Sequence, residues 1–108
     1  GLEYCTNLTS LALIRNQISN IEALSGLISL TDLNLDENQV DDISPLNSLI
    51  ELARLQLEVN RLSDISPLTN LTSLTYLELS SNQINDISAL SHLVSVDLLW
   101  LYNNQIID

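Results

Sequence analysis

Leucine and asparagine recur along this chain at a fixed spacing of 22 residues. The stretch 74–82, LTYLELSSN, has three leucines in the arrangement LxxLxL, followed by an asparagine. Equivalent stretches begin at positions 8, 30, 52 and 96. Further apolar positions recur in the rest of each period, so that a single repeat carries more apolar side chains than it could bury alone. The pattern therefore predicts stacked repeats that share one continuous core.

Each repeat is expected to begin with a short strand around its second and third leucines, for example at 76–79, with alternate side chains facing core and solvent. The following asparagine is expected to hydrogen-bond backbone groups where the chain leaves the sheet. Segments such as DISPL at 42–46 predict single turns of 3₁₀ helix, because few residues remain before the next strand. Ser44, Ser66 and Ser88 are the predicted N-caps of these turns. Proline follows the first two of these serines, as suits a first turn.

A period of this length with this leucine pattern predicts an α/β fold, a right-handed leucine-rich repeat solenoid. Its parallel β-sheet would form the concave face, and the 3₁₀ turns would form the convex face. We expect one domain over residues 1–108, without a capping unit at either end. Its expected units are a partial repeat 1–7, full repeats 8–29, 30–51, 52–73 and 74–95, and a partial repeat 96–108. Because the chain opens on Gly1, we expect a mature, excised or tag-cleaved fragment, or an engineered array.

The solvent-facing positions of the predicted strands are where the repeats differ from one another, and three of the four aromatic residues fall there. Exposed tyrosine and tryptophan are typical anchors of protein interfaces. The alternative is that these aromatics contact a following repeat or a neighbouring copy. The candidate partner-binding residues are Tyr76, Leu98, Trp100, Tyr102, Arg54, Asp32, Asp36, Glu58 and Glu78.

The charged candidates admit more than one interpretation. Arg54 would lie between Asp32 and Tyr76 on neighbouring strands, where it could form an ion pair or stack on the ring. The acids could serve solvation alone. Asp36 and Glu58 could in principle act as acid and base or hold Ca²⁺, but an open sheet is expected to offer no pocket that raises a pKa. We therefore predict no catalytic residue, no metal site and no cofactor.

Composition narrows the choice of partners. The formal net charge is -11, with 14 acidic residues against three arginines, which argues against nucleic acid. No apolar run approaches the ~20 residues of a membrane helix, so membrane insertion is not expected. Cys5 is the only cysteine and is predicted to be a small buried hydrophobe, with a reactive thiol uncovered at the end of the stack as the alternative. His92, the only histidine, falls in a convex slot with no visible nucleophile beside it.

The repeat sequence resembles the 22-residue internalin-like class of bacterial leucine-rich repeats, as TNLTSL at 69–74 and SSNQINDIS at 80–88 illustrate. The resemblance implies a curved solenoid that binds a protein ligand on its concave sheet, as the internalins do with host-cell receptors. It also implies a bacterial protein at the cell surface or secreted. The expected function is therefore a non-enzymatic protein-interaction module. The alternative is a structural or engineered building block that forms homo-oligomers through its terminal repeats.

Overall fold

The computed structural model describes residues 1–107, and each of the five repeats from residue 8 onward contributes one three-residue strand to a single parallel sheet. The strands pair in chain order, with the second leucines of neighbouring repeats in register, for example Leu55 with Leu77. The prediction of a strand at 76–79 is confirmed to within one residue. The strands are β1 (Ser10–Ala12), β2 (Asp32–Asn34), β3 (Arg54–Gln56), β4 (Tyr76–Glu78) and β5 (Leu98–Trp100).

Short 3₁₀ turns occupy the opposite side of each repeat, as predicted. They span Leu2–Tyr4, Glu22–Leu24, Ser44–Leu46, Ser66–Leu68 and Ser88–His92. Proline stands within the first turn of the third and fourth of these segments, where the missing N–H costs nothing. The sheet with its 3₁₀ turns is the predicted leucine-rich repeat solenoid.

The predicted serine N-caps are wrong. Ser44 and its equivalents are the first residues of their turns, the N-cap positions are isoleucines, and no side chain of an N-cap makes a capping hydrogen bond. Instead the aspartate two residues earlier accepts the serine N–H: Asp64 Oδ1 lies 2.9 Å from Ser66 N, and Asp42 and Asp86 do the same. A short carboxylate reaches the backbone two residues on and forms an Asx turn.

The core is a column of aliphatic side chains between the sheet and the 3₁₀ turns. Leu55, Leu57 and Leu77 in the central repeats are fully buried. In the outermost layers Leu11, Leu13, Val96 and Leu101 are only partly buried, since a neighbouring repeat covers one side alone. The seven apolar positions of the period thus form one shared core.

The asparagine that follows each strand bonds backbone groups, as predicted, and from β2 onward it bonds those of two repeats. Asn60 Nδ2 donates to Leu35 O in the preceding repeat at 3.0 Å and to Leu57 O in its own at 3.2 Å. Its Oδ1 accepts from Val40 N at 2.9 Å. Asn60 is buried, and these bonds satisfy backbone groups that no strand ladder reaches.

Cys5 is exposed, which corrects the prediction of a buried hydrophobe. It occupies the same slot as Leu27, which is fully buried between two layers. The segment 1–7 is the outermost layer of the described stack, so the thiol has a neighbouring repeat on one side only. The predicted last unit, 96–108, ends at Asp108, which lies outside the described residues.

Candidate functional site

The concave face is formed by side chains on the solvent side of β1–β5 and of the residues that follow each strand. Parallel pairing without offset places equivalent positions of successive repeats side by side, in columns across the sheet. One column contains Asp32, Arg54, Tyr76 and Leu98, and the next contains Asn34, Gln56, Glu78 and Trp100. A third column follows the strands and contains Ile14, Asp36, Glu58, Ser80 and Tyr102. All predicted site residues therefore lie on this face.

Three of the predicted anchors form an exposed patch at the β5 side of the sheet, which we call the aromatic patch. Leu98 is 51% exposed, Trp100 44% and Tyr102 53%. Large apolar side chains at this exposure on one face mark candidate interaction surfaces.

Tyr76 differs from the aromatic patch because its ring is covered. The Arg54 guanidinium carbon lies 4.1 Å from the ring centroid of Tyr76, a cation–π distance. Arg54 Nε also approaches Gln56 Oε1 at 3.4 Å. Of the two interpretations of Arg54, stacking is the one found, and no ion pair between Arg54 and Asp32 forms. The structure thus separates Tyr76 from the exposed aromatics.

Asp36, Glu58 and Glu78 lie in successive repeats beside the aromatic patch and are held by short hydrogen bonds. Asp36 Oδ1 accepts from Glu58 N at 2.7 Å. Glu58 Oε1 accepts from the Tyr102 hydroxyl at 2.5 Å. Glu78 is only 7% exposed, and its Oε1 accepts from Ser80 N at 2.8 Å. Asp32, the fourth predicted acid, is exposed and makes no side-chain bond among residues 1–107.

Burial raises the pKa of Asp36, whereas the hydrogen bond from Glu58 N lowers this pKa. The negative charges of Glu58, Glu78 and Glu37 raise the pKa further. The expectation that an open sheet could not raise a pKa is therefore wrong for Asp36. The pKa of Tyr102 is also raised, first because its phenol bonds the Glu58 carboxylate. The Asp36 carboxylate is therefore coupled electrostatically to the acids around it.

Sequence reasoning missed the contact between Tyr102 and Glu58, which are 44 residues apart. It crosses the repeat that carries Ser80, which is 0% exposed and whose hydroxyl makes no well-aligned hydrogen bond in the part of the chain described. The spacing of 22 residues places all three in one column, but it does not show which side chains meet. The only indication of this contact in the sequence is side-chain size, since tyrosine and glutamate are long enough to meet over a serine.

Within residues 1–107, no group of histidine, cysteine, aspartate and glutamate has the geometry of a metal site. His92 is exposed and contacts only its neighbour, with Ser91 Oγ 3.4 Å from His92 Nδ1. None of the helices in residues 1–107 is long and apolar enough to cross a membrane.

The model of the family described as "Leucine Rich repeats (2 copies)" matches residues 6–48 and again residues 50–92. The chain belongs to the leucine-rich repeat family. Repeats of this family are generally protein-interaction modules, and their internalin-like members are typically non-enzymatic. No curated protein sequence matches the chain.

Solved structures of bacterial leucine-rich repeat proteins superpose closely on the chain. An internalin of Listeria monocytogenes (inlF) is 40% identical with a TM-score of 0.97, over 99% of this chain and 32% of that one. Internalin C2 of the same organism is 36% identical with a TM-score of 0.92, over 99% of this chain and 47% of that one. A leucine-rich repeat protein of Leptospira interrogans is 28% identical with a TM-score of 0.91, over 97% of this chain and 28% of that one. The repeats are therefore of the bacterial internalin-like type, and the chain spans less than half the length of each of these three proteins.

Proposed function

We propose that the concave face binds a protein partner and that the aromatic patch is its anchor. The observation that carries the proposal is the exposure of Leu98, Trp100 and Tyr102 side by side on the sheet. In protein interfaces a few buried aromatic side chains supply most of the binding energy, while charged neighbours determine orientation and specificity. We further propose that residues 1–108 act as a single domain with the repeat boundaries given above.

The double variant Trp100→Ala, Tyr102→Ala tests this function. A tagged form of the chain is used to capture a partner, which is identified and purified, and the affinities of both proteins for it are measured by calorimetry. We expect at least a ~100-fold loss, since anchors of this kind contribute ~2 kcal/mol or more each. Unchanged affinity in a folded double variant would rule out the aromatic patch as the anchor.

A matched control removes exposed apolar side chains from elsewhere. Tyr4 and Ile50 are both exposed and lie outside the concave columns. The double variant Tyr4→Ala, Ile50→Ala should therefore bind the partner as the unmodified chain does. Circular dichroism of both double variants shows whether each keeps its fold.

A second candidate function is self-association through β5, which pairs with β4 alone within residues 1–107. Leu98, Leu99 and Trp100 are all exposed on this strand, although Leu99 belongs to the core column. An edge strand with unpaired backbone groups and apolar side chains can pair with another copy. The oligomeric state distinguishes this function from partner binding and is taken up in the Discussion.

A further inference from the structure

The three carboxylates of Asp36, Glu58 and Glu78 have no cationic partner. Within residues 1–107 the only ion pairs are Gly1 with Glu3 and Arg15 with Glu37. Arg54 is committed to the ring of Tyr76. Glu78 is more than nine-tenths buried, and a buried carboxylate without a counter-charge is costly for the folded chain. The concave face therefore holds three carboxylates that form no ion pair within residues 1–107.

The Ser80 hydroxyl is an independent sign that this place is incomplete. Ser80 lies between Glu58 and Tyr102 in their column, and its side chain is covered where the Tyr102 hydroxyl reaches across to Glu58. Its Oγ makes no well-aligned hydrogen bond in the described chain, although it lies against the Tyr102 hydroxyl. A buried hydroxyl without a well-aligned partner is unfavourable, and it would gain from a ligand that brings N–H donors. The tyrosine above it is half exposed.

We propose that Asp36, Glu58, Glu78 and Ser80, together the carboxylate site, receive an arginine side chain of the protein partner. The guanidinium takes the place of the Tyr102 hydroxyl on Glu58 and donates to the Ser80 oxygen that this movement uncovers. The proposal rests on the proposed function, because it assigns the chemistry of one contact that the partner makes on the concave face.

Arginine fits this place better than other cations. Its planar group of five N–H donors can bond several carboxylates and a hydroxyl at once, and it is less strongly hydrated than a lysine ammonium. It also stacks on aromatic rings, which Trp100 and Tyr102 offer beside the acids. Arg54 over Tyr76, at 4.1 Å, shows the same pairing inside the chain. A bare metal ion finds no suitable ligand geometry among residues 1–107.

A short peptide probes the site without knowledge of the partner. Acetyl-Gly-Arg-Gly-amide is titrated into isotope-labelled protein at low salt and followed by two-dimensional amide NMR. Two further peptides carry lysine or citrulline in place of arginine, and citrulline retains the shape of arginine without its charge. We expect binding in the millimolar range, with the largest shifts at residues 34–38, 56–60, 78–82 and 100–104. The citrulline peptide should bind at least ~10-fold more weakly, and the lysine peptide should bind more weakly than the arginine peptide.

Variants separate this site from the general attraction of an acidic protein for cations. The double variant Glu58→Gln, Glu78→Gln should weaken arginine binding at least ~10-fold. Asp41→Asn with Glu51→Gln removes the same charge at exposed positions outside the site and should leave the affinity within about twofold. Tyr102→Phe keeps the ring but frees Glu58, so it should bind the arginine peptide more tightly than the unmodified chain.

Three results would overturn the inference: equal binding of the arginine and citrulline peptides, equal effects of the two double variants, or weaker binding by Tyr102→Phe. Failure here is distinguishable from failure of the proposed function. Suppose that Trp100→Ala, Tyr102→Ala abolishes partner binding, while the protein does not prefer the arginine peptide to the other two. Only the assignment of an arginine side chain to the carboxylate site is then wrong. If the peptide binds as expected but Trp100→Ala, Tyr102→Ala still binds the partner, the aromatic patch is not the anchor. The carboxylate site must then bind another ligand.

Discussion

At the residue scale, one backbone position in each repeat has an unfavourable φ that the amino-acid sequence does not indicate. The residue before the asparagine that follows each strand has a left-handed φ between 53° and 58°. This residue is arginine, glutamate, valine, serine or asparagine in successive repeats. Asparagine tolerates this region, whereas a β-branched residue such as Val59 is strained there. The sequence could not reveal this, because the same conformation recurs under five different side chains.

Replacing Val59 by asparagine should therefore stabilise the protein by ~1 kcal/mol, since φ at this residue is 56° and its side chain is exposed. Urea titration measures the change in the free energy of unfolding. Ile50→Asn is the control: Ile50 is also an exposed aliphatic residue, but its φ is not positive, so no comparable gain is expected. A Val59→Asn protein no more stable than the unmodified chain would mean that the strain is relieved in some other way.

At the scale of the element, the strands and 3₁₀ turns were predictable because leucine spacing determines both. The start of each turn was not, since aspartate and serine in DIS are both able to cap and only geometry decides between them. The Ser66 N–H lowers the pKa of Asp64 by bonding its carboxylate, and Ser44 and Ser88 do the same for Asp42 and Asp86. A lowered carboxyl pKa contributes stability above its unfolded value, and that stability is lost as the pH falls through the folded value.

Asp64→Ala should therefore be less stable than the unmodified chain at neutral pH, and the difference should shrink in acid as the native Asp64 carboxylate is protonated. Urea midpoints measured from neutral to acidic pH test this. Asp36→Asn should behave in the opposite way: the pKa of Asp36 is raised, so removing its charge helps most at neutral pH. A constant difference for Asp64→Ala at all pH values would show that its charge is irrelevant.

At the scale of the whole molecule, stability is a sum over repeats and the contacts between neighbours. Leu57 is enclosed on both sides and fully buried, whereas Leu101 is only partly buried. Leu57→Ala should cost ~2 to 5 kcal/mol and Leu101→Ala clearly less, because the cavity left at Leu101 opens towards solvent. Denaturant titration of both variants gives the comparison, and a larger loss at Leu101 would mean that the outer layer is covered in solution.

Self-association is the property of the whole molecule that the exposed strand β5 predicts. Pairing of two copies would cover Leu98, Leu99 and Trp100, which water now contacts. The net charge of -11 on each chain opposes it, and added salt screens that repulsion to a range of ~8 Å at physiological strength. Association should therefore strengthen with salt and with protein concentration, as sedimentation velocity can measure.

Leu98→Lys places a charge on the strand edge and should reduce dimerisation, whereas Val94→Lys, at an exposed position outside the strand, should not. A single monomeric species under all conditions would rule out self-association through β5.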